Sequence, residues 1–166
     1  MFRKATSTQL LLLAGIATVA AFAGPLAPAA AAEPTIVTLT QVACQFIESE
    51  GGQDRDFMSA SKADCETINA ASGAERLAAA RPLTLKAGRY VFRVTNRDVP
   101  YELGFWLRSE GYSAANPLHR LTKVSVSGGG LLEGRTGDYE VELEPGEYVY
   151  SCPLNSTPDY RLIVEG

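Results

Sequence analysis

Histidine is nearly missing from this chain: His119 is the only one in 166 residues, and beyond Met1 the only methionine is Met58. A single imidazole leaves few routes to acid–base or nucleophilic catalysis, and no serine or cysteine stands in a nucleophile motif beside a base. No glycine pattern of the phosphate-cradling kind occurs, and no spacing of carboxylates marks a catalytic pair. The chain is therefore expected not to be an enzyme. Beyond residue 32 there is no apolar run long enough to cross a bilayer. Positive charge is also scarce, with 15 basic residues against 19 acidic ones. That balance disfavours nucleic acid and anionic membrane surfaces as partners and names no protein partner.

The first 32 residues differ in kind from the rest. Arg3 and Lys4 precede an apolar run from Leu10 to Ala23, and Ala30-Ala31-Ala32 stands before Glu33. This is the pattern of a signal peptide that is cleaved on export. Pro25 and Pro28 argue against the alternative, a retained membrane anchor. A cysteine for lipid attachment is lacking in the segment. Cleavage leaves 134 residues, enough for one domain with its own core. Loss of Arg3 and Lys4 takes the formal net charge from −4 to −6. The expected location is periplasmic or secreted, with no stable membrane anchor after cleavage.

Three cysteines remain, an odd number for an exported chain. They allow one bridge and a free thiol, or a bond between chains. Cys44 and Cys65 lie close together in sequence and Cys152 lies far away, so Cys44 is paired with Cys65. A closed loop of about twenty residues contributes about 3 kcal/mol.

Along the chain, Thr35 to Val42 is rich in β-branched residues and reads as a strand. Gln45 to Met58, with Gly51-Gly52 and five charged residues, reads as a loop. Ser61 and Asp64 form a capping pattern ahead of an alanine-rich run. That run predicts a short helix from about Ala63 to Ala80, interrupted by Gly73 and ended by Pro82. Residues 33–82 thus form a first strand followed by a disulfide-pinned loop and helix insertion. From Leu83 onward the chain is expected to be β, with strands to Thr95, over Tyr101–Leu107, over Leu118–Val126 and over Asp138–Leu143. Gly128-Gly-Gly130 reads as a mobile turn or bulge. Tyr139, Val141 and Leu143 alternate with Glu140, Glu142 and Glu144, which places the acids on a solvated face. Near the C-terminus, Tyr148, Tyr150 and Cys152 share one face of a strand, and Tyr160, Leu162 and Val164 share another. The many alternating aromatics suit a sandwich core. Trp106 has the opposite parity to Phe105 and marks an outward contact surface.

Three segments within 83–166 resemble the cupredoxins, the blue-copper sandwich family. Gly88-Arg-Tyr-Val-Phe-Arg-Val-Thr-Asn96 is similar to a strand ending in Thr-Asn. Val99-Pro-Tyr-Glu-Leu-Gly-Phe105 looks like the family's Pro-His-Glu segment, with Tyr101 where the first histidine ligand is expected. Pro145-Gly-Glu-Tyr-Val-Tyr-Ser-Cys-Pro153 resembles the strand that delivers the copper-binding cysteine. The resemblance implies an all-β, Greek-key β-sandwich, here with a short helical insertion near its N-terminus.

The family's site needs two imidazoles and a thiolate, usually with a weak thioether. After Cys152 the chain reads Pro, Leu, Asn, Ser, Thr, Pro, Asp and Tyr, without His or Met. An ordinary type 1 site cannot be assembled from one such chain. The remaining candidate metal ligands are Cys152, His119, Tyr101 and Glu102, with copper as the metal, since thiolate suits Cu(I). The bland alternative for Cys152 is a buried, inert thiol, and for His119 a residue at a strand entry. Three functions follow as expectations: metal handling through Cys152, electron transfer through an atypical copper centre, or a metal-free structural or interaction module with a protein partner.

Overall fold

The computed structural model describes residues 33–166, so the leader expected at 1–32 lies outside the described residues. Two sheets pack face to face. One holds β1 (Thr35–Val42), β2 (Gln45–Phe46), β4 (Gly88–Asn96) and β7 (Thr136–Leu143) in the order β2-β1-β4-β7. The other holds β3 (Leu83–Lys86), β5 (Leu103–Ser109), β6 (Ser125–Leu131), β8 (Gly146–Ser151) and β9 (Tyr160–Glu165) in the order β3-β9-β8-β5-β6. β1 runs parallel to β4 and β3 parallel to β9, while the remaining pairs are antiparallel.

Period-two alternation decides which face each strand buries. Tyr139 and Leu143 are buried with Glu140, Glu142 and Glu144 exposed. Tyr148, Tyr150 and Cys152 point inward, as do Tyr160, Leu162 and Val164. The aromatics meet in the core around Phe105, whose ring centroid lies 5.6 Å from Phe92, 5.0 Å from Tyr139 and 6.1 Å from Phe46. Burial pushes the Tyr150 phenol up to about 12.

Several segments differ from the sequence expectation. Gln45–Met58 is not only loop: β2 pairs back on β1, and a 3-10 turn forms at Glu48–Glu50. Cys44 makes the tight reversal between β1 and β2 in the left-handed region, at φ 65°. The expected strand over Leu118–Val126 is half helix: α2 (His119–Thr122) precedes β6. Gly128-Gly-Gly130 lies within β6 and carries a bulge, since Leu103 faces Leu131 while Phe105 faces Gly128. A side chain at Gly128 would meet the Tyr139 ring at 2.8 Å, so sheet contact there requires glycine.

Gly73 does not interrupt the helix. α1 (Lys62–Ala79) is continuous, capped by Asp64, whose carboxylate accepts the Ser61 and Ala60 N–H groups at 2.9 Å each. Gly73 is buried, and a Cβ there would stand 3.7 Å from Pro158. Cys65, Asn69, Gly73 and Arg76 recur at spacings of three and four and so form one face. That face is mostly polar. The Cys44–Cys65 disulfide holds its first turn. Asn69 Nδ2 donates to Ser156 O (2.7 Å) and Cys44 O (3.3 Å). Arg76 Nη2 donates to Glu50 Oε1 (2.6 Å) and to Cys44 O (3.1 Å), and its Nη1 hydrogen-bonds Asn69 Oδ1.

Glu50 is the anchor of this polar seam. Its side chain is 1% exposed, and Arg76's is 3% exposed. Tyr160 Oη donates to Glu50 Oε1 (2.6 Å) and Arg55 Nε donates to Oε2 (2.6 Å). Burial by itself raises the Glu50 carboxyl, but the bonds from Arg76, Tyr160 and Arg55 prevail and hold it below the usual range. A carboxyl lowered on folding contributes stability that is present above its unfolded value and lost as pH falls through the folded one. Removing one partner of a buried pair costs about 3–5 kcal/mol. Glu50→Gln should therefore lower stability at pH 7 by that order in urea unfolding. The gap to wild type should close as pH drops below about 4.3; a gap constant down to pH 3 would show that the charge is not what matters.

Candidate functional site

The candidate site is built around Cys152, immediately after β8. Its side chain is fully buried. Two backbone N–H groups point at the sulfur, from Gly104 and from Asn155, each at 3.3 Å. Its own N–H donates to Thr157 Oγ1 at 2.8 Å, and its carbonyl accepts from Asn155 N (3.2 Å) and Thr157 N (3.3 Å). The loop after Cys152 thus folds back on the cysteine. Burial pushes the Cys152 thiol up, against the opposing pull of the N–H groups aimed at it. It is a protonated, poorly nucleophilic thiol near neutral pH.

Asn155 fills the space beyond the sulfur. It is fully buried, and its Oδ1 accepts from Cys44 N (2.9 Å) and Tyr101 Oη (3.3 Å), while its Nδ2 donates to Val42 O (2.8 Å). Cys65 Sγ lies 3.2 Å from the same Oδ1. The Cys44–Cys65 pair and the distant Cys152 are thus gathered around this one residue. Tyr101 closes the assembly: its hydroxyl bonds Ser59 Oγ at 2.5 Å and lies 3.5 Å from Cys65 Sγ. Burial raises the Tyr101 phenol as well. The loop and helix inserted between β2 and β3 thus reach the Cys152 end of the sandwich through Ser59 on Tyr101 and Cys65 on Asn155.

Gln41, on β1, enters from below. It is fully buried; its Nε2 donates to Gly104 O at 2.7 Å, so Gly104 carries both Gln41 and the Cys152 sulfur. A Cβ at Gly104 would stand 2.6 Å from Gly128 O, so the close approach of β5 and β6 here also needs glycine. Gln41 Oε1 has no hydrogen-bond partner among the described residues.

The structure brings Tyr101 to this site and leaves the other two candidates elsewhere. His119 is on α2, in the connection from β5 to β6, where Nδ1 accepts the Ser113 N–H at 2.9 Å and the ring lies 6.2 Å from Tyr112. Glu102 is exposed, and its Oε1 accepts the Gly130 N–H at 2.8 Å, which fastens the β6 bulge. Among the described residues no group of three or more His, Cys, Asp and Glu side chains is arranged to hold a metal. Trp106 is half-buried on the outer sheet face, with the Arg108 guanidinium 3.9 Å over its ring and Ser125 Oγ accepting from its indole N–H at 3.0 Å. Sequence reading missed Asn155, Gln41, Thr157 and Ser59. The available signal was the turn-forming run Asn155-Ser-Thr-Pro158 directly after a strand-end cysteine.

No protein-family model and no curated protein matches the chain. Solved structures do. Auracyanin B aligns at 14% identity with a TM-score of 0.49, covering 81% of this chain and 92% of that one. Auracyanin A, a "blue" copper protein from the green thermophilic photosynthetic bacterium Chloroflexus aurantiacus, aligns at 12% and 0.49, covering 80% and 100%. Fet3p, a multicopper oxidase that functions in iron import, aligns at 11% and 0.40, covering 93% of this chain and 38% of that one. The fold is an all-β, two-sheet sandwich with an 18-residue helix inserted between β2 and β3. At such identities and TM-scores the site is read from this chain's own residues.

A thiol enclosed in this way reacts only when the structure opens. Native protein should resist an aromatic disulfide reagent at pH 8, and one thiol should react on unfolding in urea. Asn155→Ala removes the acceptor for Cys44 N and Tyr101 together and should cost about 2–3 kcal/mol. The same variant should admit the reagent to Cys152 at least tenfold faster; an unchanged rate would show that Asn155 does not guard the sulfur.

Proposed function

We propose that this chain is an exported, non-enzymatic cupredoxin-like domain in which the copper end of the sandwich has become a sealed, hydrogen-bonded plug, and that it serves as a binding module. The observation that carries the reading is the environment of Cys152. The family's thiol is kept, but it is wholly buried, held by the N–H groups of Gly104 and Asn155, and overlaid by Asn155, Tyr101 and the disulfide. Blue copper requires two imidazoles beside the thiolate. The one imidazole here is engaged with the Ser113 backbone on a different connection. The donor set does not fit a type 1 centre, and electron transfer through one finds no support in it. Export is supported by the leader-like pattern of residues 1–32 and by a disulfide between Cys44 and Cys65. Among the described residues, no helix is long and apolar enough to cross a membrane.

A second reading, copper held through Cys152, is favoured by one observation. Gln41 Oε1 is a buried acceptor without a partner, and it is linked to the Cys152 sulfur through the single residue Gly104. The thiolate would favour Cu(I), and an amide oxygen and a phenol in place of imidazoles would make any copper centre here non-blue.

Anaerobic titration with Cu(I) and Cu(II), followed by desalting, separates the two. The expected result for a sealed domain is less than a tenth of an equivalent of copper retained in either oxidation state, from wild type and Cys152→Ser alike. Stoichiometric copper retained by wild type and lost in Cys152→Ser would establish the second reading in place of the first. An intense thiolate-to-copper absorption band would overturn the ligand assignment altogether.

A further inference from the structure

The loop that brings Ser59 to Tyr101 alternates in direction. Phe57 turns in, 4.8 Å from the Arg76 guanidinium, and Ser59 turns in to Tyr101. Met58 between them turns out and is 87% exposed. The loop is held firmly in place: Gln45 Nε2 donates to Gln53 O at 2.8 Å, and Arg55 N donates to Gln45 Oε1 at 3.1 Å. Leu118, Leu121 and Leu132 are exposed as well, so what sets Met58 apart is not its exposure but the groove it borders.

Beside Met58 runs a groove of about 370 Å³. Its apolar part is formed by Val42, Ala43, Phe57, Met58, Val99 and Pro100. Four carboxylates line it as well: Asp54, Asp56, Asp98 and Glu133. Asp54 lies 3.4 Å from Arg97. Asp56, Asp98 and Glu133 form no ion pair among the described residues, and all three are exposed.

We propose that this groove docks a basic segment of a partner protein, one apolar side chain entering between Met58 and Val99 while flanking lysines or arginines meet Asp56, Asp98 and Glu133. The proposal rests on the reading of the domain as a binding module and names its surface and partner chemistry. Charge complementarity selects this occupant. An acidic partner, or a second copy of this acidic chain presenting the same face, would be repelled. A purely apolar partner would leave three carboxylates facing an uncharged surface and losing water without compensation. The groove is made by the insertion and by the turns after β4 and β6. It is thus a product of the same segment that reaches the Cys152 end of the sandwich.

The probe is the blocked peptide Lys-Lys-Leu-Lys-Lys, titrated into the full chain carrying ¹³C-methyl methionine. The Met58 methyl is the reporter, since Met1 is the only other methionine. Binding should give a saturable shift of that methyl, weakening as salt is raised. Asp98→Asn with Glu133→Gln should weaken it about fivefold. Glu140→Gln with Glu142→Gln removes the same charge from the sheet face and should leave the affinity within about twofold. Replacing the leucine by serine should weaken binding about tenfold. No saturable shift at low salt, equal losses in the two double variants, or indifference to the leucine would overturn the proposal. Such a failure alongside no retained copper retires the surface and leaves the sealed domain standing; copper retained through Cys152 retires the sealed domain itself.

Discussion

The structure depends on a buried ion pair. Glu50 and Arg76 lie between the 3-10 turn and the helix, both nearly inaccessible, with Tyr160, Arg55, Asn69 and the Cys44 carbonyl supplying further partners. Two charges out of water are costly, and their attraction offsets that cost only when their remaining hydrogen-bonding capacity is filled. Here most of it is filled. The consequence reaches well beyond the pair. The helix packs Ile68 and Leu77 half-buried against the core, but its most deeply buried residues are Cys65, Gly73 and Arg76. Its position is set by a disulfide at one end and an ion pair at the other. Through that position Ser59 reaches Tyr101 and Cys65 reaches Asn155.

The end of the sandwich near Cys152 follows from this placement. N–H groups aimed at a sulfur favour its thiolate, and enclosure in a low-dielectric interior disfavours it. At Cys152 both act and enclosure prevails. The plug residues supply what exclusion of water demands: Asn155 satisfies the Val42 carbonyl, the Cys44 N–H and the Tyr101 hydroxyl, and Thr157 satisfies the Cys152 N–H. Gln41 Oε1 is the exception, the one buried side-chain acceptor among the described residues left without a partner.

Local chemistry made much of this legible. The alternation of Tyr139-Glu140-Val141-Glu142-Leu143 and the parity of Tyr148, Tyr150 and Cys152 specify which face is buried, because a strand has no other way to place successive side chains. The Ser61–Asp64 cap marked the helix start. What stayed hidden depends on distant residues. Gly73 lowers helix propensity by about 1 kcal/mol, yet it lies buried inside a continuous helix held at both ends by tertiary contacts. Glu50 in a charged, glycine-bearing stretch looks solvated until Arg76 and Tyr160 are placed against it. Leu118–Val126 was ambiguous because its first half lies outside the sheet, where nothing enforces the strand period. Asn155 resembles any turn residue, and its role exists only once Cys44, Val42 and Tyr101 converge on it.

The acidic residues divide in an informative way. Glu140 and Glu142 stand on β7, at the edge of its sheet, and Asp138 on the same strand pairs with Arg93 at 2.7 Å. Charges on an exposed edge strand discourage other strands from adding to it, so the fold itself accounts for them. Asp98 and Glu133 occupy turns and form no ion pair among the described residues, next to a methionine that its loop turns outward. The unpaired carboxylates and the outward Met58 leave like charge and apolar surface together at one groove. A cationic, apolar-tipped segment removes both at once. That coincidence at one groove distinguishes it from the rest of an acidic surface.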